Sequence, residues 1–292
     1  MRLGFLGSPS LAVPVLDALV AAGHDVAVVV SRPDRRRGRG GTASPTPVKA
    51  AALAHGLEVT DDLSLLAETD VDLSVVVAYG ALVPAAILDR APMLNVHLSV
   101  LPRWRGAAPV ERAILAGDPL TGVSVMRLEA TLDTGPVYAV AETDVDDKHL
   151  TALQAELVAL GTQLLVPMLA GGLAHLPEPV AQSGEATYAH KVADDELELD
   201  FTKRADELAR VVRLGRARTW AGERRLGVLD AVVVDDAVGA PGDFDGAIVT
   251  CGVGGLRLVS VVPEGRRAMS PEAWVRGIRD VVPTRLGRSL LP

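Results

Sequence analysis

The sequence predicts an α/β fold in which a Rossmann-like domain with a mostly parallel sheet is followed by a small β-barrel. Over the first half, short continuous apolar runs alternate with helix-like segments, which is typical of parallel strands covered on both faces. The second part carries short β-like runs separated by turn residues. With 292 residues and 49% hydrophobic side chains, the chain has enough length and apolar content for two packed domains.

In the first half, apolar periodicity, caps and glycine stops define the expected elements. They are a strand at 2–7, a helix at about 11–22, a strand at 25–30, a loop at 32–47, a helix at 48–55 and a strand at 73–77. The first turn, from Gly4 to Ser10, lacks the Gly-x-Gly-x-x-Gly fingerprint. This disfavours dinucleotide binding and a nicotinamide-dependent dehydrogenase.

Leucines at helical spacing predict a long helix over 148–170, and the segment from Pro177 to Ala186 has the composition of a linker. We therefore expect one domain at 1–185 and a second at 186–292. The elements expected in the second domain are a helix at 202–217, strands at 228–234, 247–251 and 256–262, and a last helix at about 271–279.

Several classes of protein are excluded by composition. The single cysteine, Cys251, rules out an internal disulfide framework, and the six histidines are not at metal-ligand spacing, so we expect no metal. No uninterrupted apolar run reaches the length of a membrane span, and glycines and prolines interrupt the N-terminal apolar stretch. We expect a soluble, cytoplasmic protein with no membrane partner.

The net charge of −8 argues against a general nucleic-acid binder, but the basic residues are clustered. One cluster comprises Arg32, Arg35, Arg36, Arg37 and Arg39. A second cluster places eight basic residues within 201–225. These clusters could bind a phosphate backbone, or they could be a solvated loop and a solvated helix face.

Asn95, His97 and Ser99 alternate with Leu94, Val96 and Leu98, so an extended chain would place the three polar side chains on one face. That face could present a carboxamide for a developing oxyanion beside an imidazole that accepts a proton. A lone histidine or asparagine at a strand end is more often structural. Asp133 follows in a turn that ends at Gly135.

Asn, His and Asp in this order, with the loop Leu101-Pro102-Arg103-Trp104-Arg105-Gly106-Ala107-Ala108-Pro109 between them, resemble the folate-dependent formyltransferases. Leu132-Asp133-Thr134-Gly135 and Arg266-Arg267-Ala268-Met269-Ser270-Pro271 extend the resemblance over nearly the whole chain. It implies direct formyl transfer from 10-formyltetrahydrofolate to the α-amino group of methionyl initiator tRNA, for translation initiation. The implied roles are His97 as general base, Asn95 as oxyanion donor and Asp133 as the residue that orients His97.

The resemblance also implies how substrates bind. Reduced folate is expected at Ser99, Val100, Leu101 and Pro102. The charged tRNA is expected at seven arginines, namely Arg35, Arg37, Arg39, Arg103, Arg105, Arg210 and Arg213. Arg103 and Arg105 could equally buttress the loop that contains them. The second domain is expected to be an OB-like, tRNA-binding barrel, and the protein a monomer.

Three alternatives remain open from the sequence. An amino sugar-nucleotide N-formyltransferase or a formyl-folate hydrolase would share Asn95, His97 and Asp133, and a non-catalytic RNA-binding protein could use the same scaffold. The chain also departs from the family at two places. Leu98 replaces the usual glycine, and Arg218-Thr219-Trp220-Ala221 replaces a proline-rich segment. The first departure bears on the backbone of the site, and the second on how the C-terminal domain contacts tRNA.

Overall fold

The computed structural model describes residues 1–36, 43–90, 92–278 and 281–288. The chain divides into two compact units. The first comprises Met1–Val110, Leu120–Asp144 and Leu153–His190. The second comprises Glu111–Pro119, Val145–Ala152 and Lys191–Pro292, so it collects two inner segments of the chain as well as the C-terminal part. A boundary at residue 185 stays a prediction.

Strands and helices alternate through the first part of the chain, and strands dominate the last. The strands are β1 (Arg2–Gly7), β2 (Asp25–Val30), β3 (Arg35–Arg36), β4 (Ala43–Ser44), β5 (Val59–Thr60), β6 (Leu73–Val77), β7 (Met93–His97), β8 (Arg105–Gly106), β9 (Leu120–Arg127), β10 (Val137–Asp144), β11 (Tyr188–Ala189), β12 (Ala217–Ala221), β13 (Arg224–Val234), β14 (Ile248–Thr250) and β15 (Gly255–Pro263). The helices are α1 (Val13–Ala21), α2 (Pro47–Ala54), α3 (Leu63–Glu68), α4 (Ala85–Leu88), α5 (Pro109–Ala116), α6 (Leu150–Ala170), α7 (Ala205–Arg213) and α8 (Pro271–Arg276).

The first unit is built on a seven-stranded sheet in the order β10-β9-β7-β6-β1-β2-β5. β1, β2, β5, β6 and β7 run parallel, whereas β9 and β10 are antiparallel at one edge. Every residue of β6 and β7 is buried, which is typical of parallel strands covered on both faces. The prediction of a mostly parallel sheet is confirmed, and the antiparallel edge is an addition that the sequence did not predict.

The order of the sheet reverses between β1 and β6, because the chain first runs outward through β2 and β5 and then returns to the other side of β1. In open α/β sheets, ligands bind beyond the carboxyl ends of the strands at such a point. Here the Ser8 hydroxyl joins the ends of β1 and β6, since it donates to the Tyr79 carbonyl at 3.2 Å. The Arg32 amide in turn donates to Ser8 Oγ at 3.2 Å.

Helix boundaries follow local capping. The Thr46 hydroxyl accepts from the Lys49 amide at 3.1 Å and begins α2, and the Asp62 carboxylate does the same for α3 through the Ser64 amide at 2.8 Å. In the described part of the chain, α6 alone has the length and hydropathy to cross a membrane. Length and hydropathy alone are a weak indication, because core helices of soluble proteins meet the same test.

The second unit contains a four-stranded antiparallel sheet in the order β12-β13-β15-β14. Helix α7 buries Ala205, Leu208 and Val212, a spacing that gives it one apolar face. Near α8, the rings of Phe244 and Trp274 pack 5.8 Å apart within the core of this unit. The separate antiparallel sheet confirms the predicted β character of this part. The helix predicted over 202–217 is shorter, at Ala205–Arg213, because Gly215 follows it with φ of +72°, and residues 217–221 form the edge strand β12.

Candidate active site

Strand β7 places Asn95 and His97 on one face near its carboxyl end. The strand lies between β6 and β9, where Asn95 is opposite Val76 and Met126 and His97 is opposite Ser124. Both side chains are shielded from water, with 9% of Asn95 and 6% of His97 exposed. The structure therefore has the two side chains on the same strand face, as predicted.

Asp133 reaches the same face from the connection between β9 and β10, and only 7% of it is exposed. Its Oδ2 accepts from the Gly106 amide at 2.8 Å and lies 3.7 Å from His97 Nδ1. Its Oδ1 accepts from Asn95 Nδ2 at 3.4 Å. The structure thus brings together all three residues that the sequence nominated, in a site largely closed to solvent.

The turn that holds Asp133 has an unusual backbone conformation. Asp133 itself has φ of +49°, a left-handed conformation that non-glycine residues rarely adopt. Two residues on, a side chain at Gly135 would place its Cβ 1.9 Å from the Arg127 carbonyl oxygen. Glycine is therefore required at the end of the Leu-Asp-Thr-Gly turn by a backbone contact, independently of any ligand.

The other ring nitrogen of His97, Nε2, lies 2.9 Å from the carbonyl oxygen of Trp104. A carbonyl oxygen only accepts hydrogen bonds, so Nε2 carries the proton in this contact. In the neutral ring the lone pair then belongs to Nδ1, which faces Asp133. The site can accept a proton at Nδ1 and hold the resulting positive charge beside a buried carboxylate.

The segment Ser99–Pro102, predicted to contact folate, begins the loop after β7 and ends at a cis peptide bond between Leu101 and Pro102. Ser99 Oγ donates to the Arg103 carbonyl at 2.6 Å, and the Leu101 amide donates to Ser124 Oγ at 3.2 Å. Ser99 and Leu101 are buried, whereas Val100 and Pro102 are partly exposed. Ser99 is therefore a support within the loop, and Val100 and Pro102 are the members that can meet a ligand.

Leu98 stands where the family usually has glycine, but it does not strain the backbone. Its φ is not in the left-handed region, and its side chain is buried with 8% exposed. Leucine is therefore accommodated between His97 and Ser99 as a core residue.

Three polar residues that support the site carried no recognisable signal in the sequence. Ser124 Oγ donates to the Ser99 carbonyl at 2.7 Å, and Thr187 Oγ1 accepts from the Trp104 amide at 2.9 Å. Gln182 contacts the Asp133 turn and Arg105. Gln182 lies in the predicted linker and Thr187 directly after it, and both are distant in sequence from the groups they bind. Only their position in the fold reveals their role.

The arginines expected to bind tRNA in the first unit have different surroundings. Arg37 and Arg39 lie outside the described residues, and Arg35 belongs to the short strand β3. Arg103 is exposed, with its guanidinium 4.5 Å from the centre of the Trp104 ring. Arg105 is half-buried, and its Nε and Nη2 donate to Gln182 Oε1 at 3.1 and 2.6 Å. Arg105 thus has the structural partner expected of a loop buttress.

In the second unit, Arg210 and Arg213 occupy the last turn of α7. Arg210 Nη2 donates to Asp206 Oδ2 at 3.3 Å, one helical turn away. Arg213 is partly buried, and this burial lowers the pKa of its guanidinium from the ordinary value. Its Nη1 donates to the Asp146 carbonyl. Within the described ranges, no group of three or more His, Cys, Asp or Glu side chains could hold a metal ion.

Known proteins have sequences or folds similar to those of this chain. Residues 1–169 match the family model described as formyl transferase. The methionyl-tRNA formyltransferase of Novosphingobium aromaticivorans is 46% identical over 98% of this chain and 100% of its own length. HypX from Aquifex aeolicus, solved with tetrahydrofolic acid, has a TM-score of 0.69 at 16% identity over 95% of this chain and 47% of its own.

A third relative is the N-formyltransferase of Helicobacter canadensis, solved with folinic acid and dTDP-3-aminofucose. It has a TM-score of 0.67 at 15% identity, over 88% of this chain and 99% of its own. At such identities the two solved structures establish likeness of fold alone. The match at 46% identity extends over the full length of a curated relative, and it includes both units of this chain. The chain therefore belongs to the methionyl-tRNA formyltransferase family.

Proposed function

We propose that this chain transfers the formyl group of 10-formyltetrahydrofolate to the α-amino group of methionyl initiator tRNA. The observation that carries the proposal is the convergence of Asn95, His97 and Asp133 within one buried site at the carboxyl end of β7. In acyl transfer to an amine, an amide can stabilise the oxyanion, an imidazole can accept the proton of the amine, and a carboxylate can stabilise the charged imidazole. Formyl-folate supplies the activated one-carbon unit, and the protein supplies binding and proton transfer.

His97 acts as the general base. We assign the proton-accepting atom to Nδ1, because Nε2 is engaged with the Trp104 carbonyl as a donor. As the amine loses its proton, the imidazole becomes positively charged. The Asp133 carboxylate, 3.7 Å away, stabilises that charge and keeps the ring oriented.

Asn95 acts as the oxyanion donor. Its side-chain amide carries two N–H groups, and the bond to Asp133 Oδ1 uses one of them. The second can be directed at the oxygen on which negative charge develops as the amine attacks. The bond to Asp133 also holds the amide in a fixed orientation before substrate arrives, so less reorganisation is needed during the reaction.

Folate binding is assigned to the segment Ser99–Pro102. The partly exposed Val100 and Pro102 would contact the ligand, while Ser99 and Leu101 fix the loop through their internal hydrogen bonds. This segment begins two residues after His97, so a ligand bound there would lie near the reactive side chains. No metal is needed in this scheme.

Binding of tRNA is assigned to clustered basic residues. In the first part of the chain these are Arg35, Arg37, Arg39 and Arg103. The C-terminal part, which we propose to form an OB-like barrel in a domain at 186–292, contributes Arg210, Arg213 and the neighbouring basic residues of 201–225. Arg105 has the weakest case as a direct contact because its guanidinium already binds Gln182. We propose a cytoplasmic monomer.

A comparison of three acceptors in separate reactions tests the proposal. The protein is incubated with radiolabelled 10-formyltetrahydrofolate and one of three acceptors: methionyl initiator tRNA, dTDP-3-aminofucose or water. We expect label on the tRNA and none on the sugar, because the relative that matches over its full length is named methionyl-tRNA formyltransferase. Release of free formate in every arm would indicate a hydrolase, and labelled sugar with unlabelled tRNA would replace the proposed acceptor.

A further inference from the structure

The segment after α6 folds back along the sheet of the first unit. Val180 pairs with Val137 at the start of β10, and the two residues exchange N–H···O bonds of 2.8 Å in both directions. This pairing brings Gln182 beside the turn that contains Asp133. A stretch with the composition of a linker therefore has a fixed path in contact with the candidate active site.

Gln182 is hydrogen-bonded at both ends of its amide. Its Nε2 donates to the carbonyl oxygens of Asp133 and Gly135, each at 2.8 Å. Its Oε1 accepts from Nε and Nη2 of Arg105 at 3.1 and 2.6 Å. Guanidinium groups only donate and carbonyl oxygens only accept, so these four bonds permit one orientation of the amide.

The two carbonyls that Gln182 binds bracket a strained turn. Asp133 has φ of +49°, a strained conformation for a non-glycine residue that persists only when the surrounding structure holds it there. That conformation determines where the carboxylate points. It lets Oδ2 reach the Gly106 amide at 2.8 Å and His97 Nδ1 at 3.7 Å.

Arg105 and Gly106 are adjacent, so the hydrogen bonds that link Arg105, Gln182 and the Asp133 turn have a second connection to the Asp133 carboxylate. Arg105 orients the Gln182 amide, while the next residue, Gly106, donates directly to Asp133 Oδ2. β8, which contains both residues, pairs in parallel with Tyr188–Ala189, a few residues after Gln182. The chain thus holds Asp133 from both its main chain and its carboxylate.

We propose that Gln182, oriented by Arg105, is a positioning residue for formyl transfer: it holds the Asp133 turn so that the carboxylate faces His97. The inference rests on the proposed function, because the benefit of this orientation is the stabilisation of charge on His97 during the reaction. It also assigns Arg105 to support of the active site instead of contact with tRNA. Gln182 itself touches neither substrate.

The test uses Gln182→Glu in the full-length protein. Glutamate keeps the size of glutamine and still accepts from Arg105, but its carboxylate cannot donate to the Asp133 and Gly135 carbonyls. Gln163→Glu, an exposed position on α6, is the matched control for the change in charge. The measurements are kcat and KM for both substrates, the unfolding temperature, and the ring ¹⁵N shifts of His97.

We expect Gln182→Glu to lower kcat by about 10- to 100-fold, the scale of loss when a reactive group is slightly misplaced. Both KM values should stay near those of the parent, and the His97 ring signals should move because the carboxylate beside Nδ1 has moved. Gln163→Glu should match the parent in every measurement. If Gln182→Glu does not fold, Arg105→Lys is used, since lysine keeps the charge but loses the two-pronged contact with Oε1.

Parental kcat together with unchanged His97 signals would overturn the proposal. So would a lower unfolding temperature with parental kcat per folded molecule, because Gln182 would then serve stability alone. If the parent enzyme does not formylate methionyl-tRNA at all, the proposed function fails, and the His97 signals of the variants still decide whether Gln182 positions Asp133.

Discussion

Replacing Asp133 with asparagine would remove one negative charge from the buried site while leaving the size of the side chain almost unchanged. An asparagine oxygen can keep the bond from the Gly106 amide, which is 2.8 Å long in the parent. Its NH₂ group would then face the Asn95 amide, which at present donates to Asp133 Oδ1 at 3.4 Å. Two donors would oppose each other, and His97 would lose its charged neighbour.

The size of the effect follows from the distance between the charges. Unit charges 3.7 Å apart attract by about 4–5 kcal/mol at an effective dielectric constant of about 20. The amide dipole of asparagine retains part of this, so we expect a loss of about 2–4 kcal/mol, which corresponds to a fall of about 30- to 1,000-fold in kcat. The positive charge forms on His97 only during the reaction, so KM should change little.

The assay is single-turnover formylation of methionyl initiator tRNA with saturating labelled formyl-folate, which removes product release from the measured rate. Asp89→Asn is the control, because Asp89 is an exposed carboxylate at the end of α4. If Asp133→Asn retained turnover within about threefold of the parent, the carboxylate would not stabilise charge on His97 and the reasoning would be refuted.

The remaining predictions concern three other side chains. His97→Ala should lower kcat by about 10²- to 10⁴-fold without unfolding the protein, and near-parental turnover would make His97 structural. Asn95→Ala should lower kcat by about 10²- to 10³-fold with little change in folate affinity, and the opposite pattern would assign Asn95 to binding. Burial raises the pKa of the Cys251 thiol to about 11. Its alkylation by iodoacetamide at pH 8 should therefore be at least about 100-fold slower in the native protein than in denaturant, and rapid native labelling would contradict its burial.

The candidate catalytic residues on β7 could be nominated from the sequence because their signal is local. Alternation along Leu94–His97 identifies which residues share a face of β7, whereas Ser99, predicted on the same face, lies beyond the end of the strand. Leucine spacing predicted a helix at 148–170, close to the observed α6 at Leu150–Ala170. The parallel sheet was also predictable from local signals. Short continuous apolar runs such as β1 and β2 indicate strands that are covered on both faces.

The features that the sequence did not reveal depend on contacts between distant segments. Gln182 lies 49 positions from Asp133, and nothing in the residues around it indicates that contact. β12 was not predicted: the helix expected at 202–217 overlaps it only at Ala217, and the strand exists through its pairing with β13. The left-handed backbone of Asp133 was also hidden, since Asp-x-Gly is compatible with several turns.

The discontinuous second unit has a consequence for how the chain acquires its structure during synthesis. Glu111–Pro119 and Val145–Ala152 leave the ribosome before Lys191–Pro292, the part with which they form one compact unit. Arg112 cannot form its 2.5 Å ion pair with Glu196 until Glu196 has been synthesised. In the same way, the Asp146 carbonyl cannot accept its hydrogen bond until Arg213 has been synthesised. Domains generally fold as units in order of synthesis, but here the second unit cannot be completed until the C-terminal residues emerge. A fragment that begins at Lys191 would lack two of the three segments of its own unit, so the last hundred or so residues are a poor choice for expression on their own.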